Sequence, residues 1–97
     1  MSFIEIQIID VIVRNDIYVS RVKKDLIFFD GTAGRYFATN CVGASIWDIL
    51  ENPCSIHDIC AQLSEIYAID DVTCMSETLE FIQELLSAGL VKKSDRV

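Results

Sequence analysis

Histidine is almost missing from this chain: His57 is the only one among 97 residues. No serine, cysteine or carboxylate is spaced so as to join it in a triad, and the chain reads as non-catalytic. Positive charge is scarce as well, with 8 Lys and Arg against 15 Asp and Glu and a formal net charge of -7. That field repels nucleic acid and anionic membrane surfaces at long range, so neither is expected as a partner. The four cysteines, Cys41, Cys54, Cys60 and Cys74, contain no C-x-x-C pair and read as reduced, small apolar side chains. Cys54-x2-His57-x2-Cys60 has ligand-like spacing, but Cys60 belongs to an apolar helical stripe and no fourth ligand is placed to join them. No metal and no cofactor is expected. No apolar run approaches the roughly 20 residues that span a bilayer. Met1–Val13 lacks a basic start and is interrupted by Glu5 and Asp10, which argues against a secretory signal and for the cytoplasm.

What the chain does have is apolar content, 52% of its residues. That suits one domain over residues 1–97, with a tail at 94–97 and an N-terminal strand extension at 1–13. Asp25–Leu50, DLIFFDGTAGRYFATNCVGASIWDIL, organises the rest. It predicts a strand at Leu26–Phe29, a glycine-bearing turn at Asp30–Gly34, a second strand at Arg35–Ala38, and Asn40 as the N-cap of a helix. Leu26 and Phe28 face one way and Ile27 and Phe29 the other, so both faces of the hairpin are apolar and each needs a cover. Upstream, Ile4, Ile6 and Ile8 alternate with Phe3, Glu5 and Gln7, which predicts an extended Phe3–Val13. Ile17–Val22 is a further short strand, followed by the basic turn Arg21–Lys24.

Three helices follow. The first runs from about Cys41 to Glu51, carries Val42, Ile46, Ile49 and Leu50 on one side, and stops before Pro53. Ser55-Ile56-His57-Asp58 resembles a capping box and opens the second, whose stripe is Ile56, Ile59, Cys60, Leu63, Ile66 and Tyr67. Asp70 and Asp71 start the third, and Gly89 follows its end. On that helix Ser76, Glu77, Glu80, Gln83, Glu84 and Ser87 form a polar arc, read as a solvated face. Val72, Met75, Leu79, Ile82 and Leu86 are expected against the other helices. Cys74, Thr78, Phe81, Leu85 and Ala88 make a second apolar face, which either packs on the hairpin or lines a groove beside the sheet edge.

The ordered set Tyr36, Asn40, Gly43, Ile46, Trp47 and Leu50, followed by Phe81, Leu85, Gly89 and Leu90, resembles the PqqD-like family. These are small recognition domains for the leader peptides of ribosomally made, modified peptides. The N-x-x-G-x-x-I-W run is most similar to the discrete leader-binding proteins of lasso-peptide pathways. Phe3–Val13 has no counterpart in the family pattern.

The resemblance implies an α+β fold, winged helix-turn-helix-like, with a three-stranded antiparallel sheet followed by three helices. It also implies a leader peptide added as a strand at the edge of the third strand, beside the third helix. Carried onto this sequence, the peptide-binding residues are Gly34, Arg35, Tyr36, Phe37 and Ala38 on the strand side, and Cys74, Thr78, Phe81 and Leu85 on the helix side. An edge strand offers unpaired N–H and C=O groups that an extended peptide satisfies, each bond netting about 0.5–1.5 kcal/mol. Apolar anchors against the helix then supply specificity. The implied partners are a precursor leader peptide and a separate maturation enzyme, a lasso-pathway leader peptidase ahead of a radical-SAM maturase. Two other classes stay open: a winged-helix DNA-binding protein, and an oligomerisation module dimerising through the N-terminal strand.

Overall fold

The computed structural model describes residues 6–15, 17, 19–30 and 34–94, with the backbone alone of Asp30, Arg35 and Phe37. Its elements are β1 (Val11–Arg14), β2 (Val19–Val22), β3 (Asp25–Asp30), β4 (Arg35–Ala38), α1 (Cys41–Ile49), β5 (Cys54–Ser55), α2 (Ile56–Ile66), α3 (Asp71–Ser87) and β6 (Val91–Lys93). They form two antiparallel three-stranded sheets, in the orders β2-β3-β4 and β5-β1-β6. The first, followed by three helices, is the α+β arrangement the sequence implied.

β2 and β3 are joined through Lys23 and Lys24, with Val22 facing Asp25 across the turn. Lys23 takes a positive φ of 59°, a conformation that tight hairpin turns demand. Leu26 and Phe28 point inward and are buried, and the Phe28 ring meets Trp47 of α1 edge-on at 4.9 Å. The opposite face is the first correction. Among the described residues nothing covers it: Phe29 is 49% and Tyr36 72% exposed, their rings 5.0 Å apart.

The helix starts follow the capping chemistry. Asn40 Oδ1 accepts from Gly43 N–H at 2.9 Å, Ser55 Oγ from Asp58 N–H at 3.1 Å, and Asp70 Oδ1 from the N–H groups of Val72 and Thr73. α3 ends in a Schellman motif, with Gly89 N–H on Leu86 O and Leu90 N–H on Leu85 O, Gly89 at φ +78°. α1 is shorter than its stripe suggested, closing at Ile49 with Leu50 as its cap. In α2, Ile56, Ile59, Cys60 and Leu63 are buried, whereas Ile66 lies 61% exposed, one turn too far along to reach the core.

On α3 the first apolar face is core only at Ile82 and Leu86, and the second face supplies the rest. Cys74, Thr78, Ile82, Leu85 and Leu86 are buried, while Val72 is 78% exposed and Met75 and Leu79 are half-buried. The helix packs on α2 and β6, so its centre of contact lies near 78, 82 and 85 rather than on 72, 75 and 79.

The N-terminal segment departs most from expectation. Ile8 and Ile9 form a turn, and only Val11–Arg14 is strand. The part of the expected strand before Ile6 lies outside the described residues. β1 is the middle strand of its sheet, between β5 and β6, with Ile12 fully buried. Both its edges are therefore used within the chain, and it neither covers the outer face of the hairpin nor offers an edge to a second copy. Arg14 fixes it to α1: the guanidinium donates to Trp47 O from Nε at 3.0 Å, and from its terminal nitrogen as well, and lies 4.5 Å over the Trp47 ring.

Candidate functional site at the free edge of β4

β4 occupies an end of its sheet, and the register decides which of its backbone groups are free. Thr39, just beyond the strand, donates its N–H to Leu26 O at 2.9 Å. Pairing continues as Ile27–Ala38, Phe28–Phe37, Phe29–Tyr36 and Asp30–Arg35. In an antiparallel ladder hydrogen-bonded and non-hydrogen-bonded pairs alternate. Phe37 and Arg35 thus turn their N–H and C=O groups toward β3, and Tyr36 and Ala38 turn theirs outward. Four backbone groups in a row face away from the sheet.

The first turn of α1 connects this edge to α3. A Cβ built on Gly43 would stand 2.8 Å from Thr39 Cβ and 3.2 Å from Phe81 Cζ. Only glycine lets the strand end, the helix and the Phe81 ring meet at that point. Beside this junction lies a cleft of about 160 Å³, lined by Asn40, Val42, Gly43 and Ile46 of the capped helix, Leu63, Ile69, and Cys74, Glu77, Thr78 and Phe81 of α3. Its walls are mainly apolar, and the exposed Glu77 supplies a carboxylate.

The sequence-predicted residues divide within this geometry. Gly34 (φ +68°) is exposed and leads into β4, and Tyr36 and Ala38 are exposed on it. Arg35 and Phe37 contribute backbone pairing to β3. Phe81 is half-buried against α1, at the cleft. Cys74 and Thr78 touch the cleft but belong to the core, Thr78 being 2% exposed. Leu85 is wholly buried and does not line the cleft. Cys60 joins Cys74 and Thr78 across α2 and α3. Burial, above all, pushes its thiol up to about 11, a hydrogen bond from Thr78 working against the shift and Cys74 adding to it. This trio is a core contact, and Cys60 is not a reactive thiolate at neutral pH.

Sequence reading missed Asn40, Val42, Gly43, Ile46, Leu63, Ile69 and Glu77 as parts of the cleft. Gly43 had a signal of its own: a glycine within a helical pattern marks a close approach. Among the described residues no group of three or more His, Cys, Asp or Glu is placed to hold a metal ion, and no helix is long and apolar enough to cross a membrane.

No curated protein matches the sequence. The fold is similar to the solved structure of TbiB1 in complex with the TbiA(beta) leader peptide, with a TM-score of 0.69 and 19% identity over 88% of this chain and 98% of that one. The family described as Coenzyme PQQ synthesis protein D (PqqD) matches residues 23–91, from the β2–β3 turn to the first residue of β6. That span is well over half of the sequence, and the chain belongs to the PqqD family.

Proposed function

We propose that this protein binds the leader segment of a ribosomally made precursor peptide, as an added strand antiparallel to β4, and holds it for a separate maturation enzyme. The observation that carries this reading is the outward row of N–H and C=O groups on Tyr36 and Ala38, set beside the cleft at Gly43, Phe81 and Thr78. Strand addition satisfies those four groups with backbone alone, which any peptide offers. Selection falls to side chains. One that turns inward from the added strand meets the Phe81 and α1 side of the sheet, where burying an apolar anchor is worth about 1.5–3 kcal/mol. The likeness to a protein solved with a leader peptide, together with the family match, supports peptide binding as such.

The partner enzyme in this reading is a leader peptidase of a lasso-peptide pathway, as the N-x-x-G-x-x-I-W run suggests. The protein's own part is recognition without catalysis. The test is titration of the leader of a candidate precursor, sought among the reading frames beside this gene, followed by amide NMR. Saturable one-to-one binding with perturbed Tyr36 and Ala38 amides is expected. Binding that leaves those amides unchanged overturns the site, and no binding overturns the function. Co-purification with whichever peptidase or radical-SAM enzyme is encoded there decides the partner.

A further inference from the structure

The β2-β3-β4 sheet has a second end. β2 is its other outer strand, and among the described residues no strand pairs with it on the far side. The two-residue turn at Lys23 and Lys24 makes Val22–Asp25 a hydrogen-bonded pair. By alternation Ser20 bonds to β3, while Val19 and Arg21 turn their N–H and C=O groups outward. The Thr39 bond to Leu26 O agrees, since it leaves Leu26, the residue opposite Arg21, facing β4. Val19 and Arg21 stand opposite the buried Phe28 and Leu26, so their side chains share the inner face of the sheet.

Those two side chains line a cleft of about 610 Å³ between β2 and the ends of β1 and α1, which shares no residue with the cleft at Phe81. Its walls differ in kind. Arg14 lies 4.5 Å over the Trp47 ring and gives Nε and one terminal nitrogen to Trp47 O, which leaves other donors of the guanidinium unspent. Among the described residues no carboxylate pairs with it, whereas Arg21 pairs with Asp48 at 2.8 Å, both about half exposed. The cleft therefore holds two guanidinium groups against one carboxylate, and Lys23 and Lys24 follow, exposed, at the turn. Those four are half of the chain's 8 basic side chains, gathered on a protein of formal net charge -7. Ile17 and Val19, both half-buried, supply an apolar wall.

We infer that β2 is a second docking edge, taking an extended acidic segment of another protein as an antiparallel strand. An acidic side chain of that segment lies opposite Arg21, and an apolar one, two residues on, lies opposite Val19. The register supplies this order. Antiparallel pairing reverses direction, so the residue opposite Arg21 comes first, and both side chains point to the inner face and its cleft. A carboxylate there meets guanidinium groups and offsets the local excess of positive charge. Charge also decides among occupants. None of this chain's own edge strands, β2, β4, β5 and β6, contains an acid, which argues against a second copy. A nucleic acid or an anionic membrane meets the overall field of -7. The site stands apart from β4 and does not depend on what binds there; with both edges filled, one sheet joins the two partners.

The experiment selects a phage-displayed library of random peptides on the intact protein. Enriched peptides, fluorescein-labelled, are titrated against wild type, Arg21→Gln, Val19→Pro and Ala38→Pro, with thermal melts alongside. Val19→Pro removes an outward N–H at the first residue of a strand, a place that tolerates proline. One class of peptides should carry Asp or Glu two residues before an apolar residue and bind Ala38→Pro as well as wild type. That class should lose about two- to fivefold in affinity on Arg21→Gln, whose melt is unchanged, and should also weaken on Val19→Pro. Changing the peptide's acid to its amide should weaken binding to wild type but add little further loss on Arg21→Gln. Absence of such a class, a class without the acid-x-apolar order, or losses that multiply independently overturns the inference. So does a precursor leader that loses affinity on Arg21→Gln, which makes the leader the occupant, or a dimer in sedimentation that Arg21→Glu dissolves, which makes it a second copy. If the acidic class is found but neither it nor any other enriched peptide weakens on Ala38→Pro, the β4 reading fails while the β2 edge stands.

Discussion

Adjacent residues at the end of β4 should respond oppositely to proline. Thr39 N–H is bonded to Leu26 O at 2.9 Å, and the alternation of the ladder leaves the Ala38 N–H pointing away from β3. Proline removes that N–H and fixes φ, which an edge strand tolerates where the lost donor faces outward. Ala38→Pro should thus change folding stability by less than about 1 kcal/mol. It should weaken leader binding by at least one hydrogen bond, about 0.5–1.5 kcal/mol or roughly two- to tenfold, and by more because the ring occupies space the added strand needs. Thr39→Pro breaks a bond inside the sheet and removes a buried side chain, and should cost about 3 kcal/mol or more of stability. Thermal melts of both variants, with anisotropy titration of a labelled leader against Ala38→Pro, separate the two effects. Equal destabilisation by the two prolines, or full leader affinity in Ala38→Pro, would refute the assignment of outward and inward groups.

Gly43→Ala should lower stability by about 1–3 kcal/mol, since its Cβ meets Thr39 Cβ at 2.8 Å, and should weaken leader binding by displacing Phe81; melts and titration check both. Thr78→Glu puts a carboxylate into the core and should prevent stable folding, whereas Glu77→Lys at the cleft should keep stability within about 0.5 kcal/mol and alter peptide affinity, as circular dichroism and titration will tell. Asp70 is held below its ordinary value of 3.8, chiefly by the Thr73 hydroxyl and then by backbone N–H groups, so its stabilisation is present above that pH and disappears as pH falls through the lowered value. The melting difference between wild type and Asp70→Ala should accordingly be full at neutral pH and shrink in acid. Alkylation followed by mass spectrometry at mildly alkaline pH should modify the exposed Cys41 first, the half-buried Cys54, its thiol raised by burial, more slowly, and the buried Cys60 and Cys74 only on unfolding.

Local chemistry made much of this molecule legible before any coordinates. Asn40, Ser55 and Asp70 are helix starts because a short polar side chain before an apolar repeat has a backbone N–H to satisfy, and each bond is present. Gly89 is a helix stop for the matching reason of left-handed φ. Arg35–Ala38 as a strand, and the shared face of Leu26 and Phe28, followed from turn residues and period-two alternation; which face turned inward did not.

Three things depended on the tertiary arrangement. The alternation of Ile4, Ile6 and Ile8 did not place the strand, which is Val11–Arg14 beyond a turn at Ile8 and Ile9, and its partners β5 and β6 are too short to be read from sequence. A helix apolar over most of its circumference does not say which flank is core. The approach of α2 put Thr78, Ile82 and Leu85 inside and left Val72 in solvent. Which backbone groups of β4 are free was fixed by one register bond, Thr39 to Leu26, between residues thirteen apart in the chain. Caps and alternation act over a few neighbouring residues and are written in composition; register, helix orientation and the edge they leave open are settled by contacts between distant segments, which no local pattern encodes.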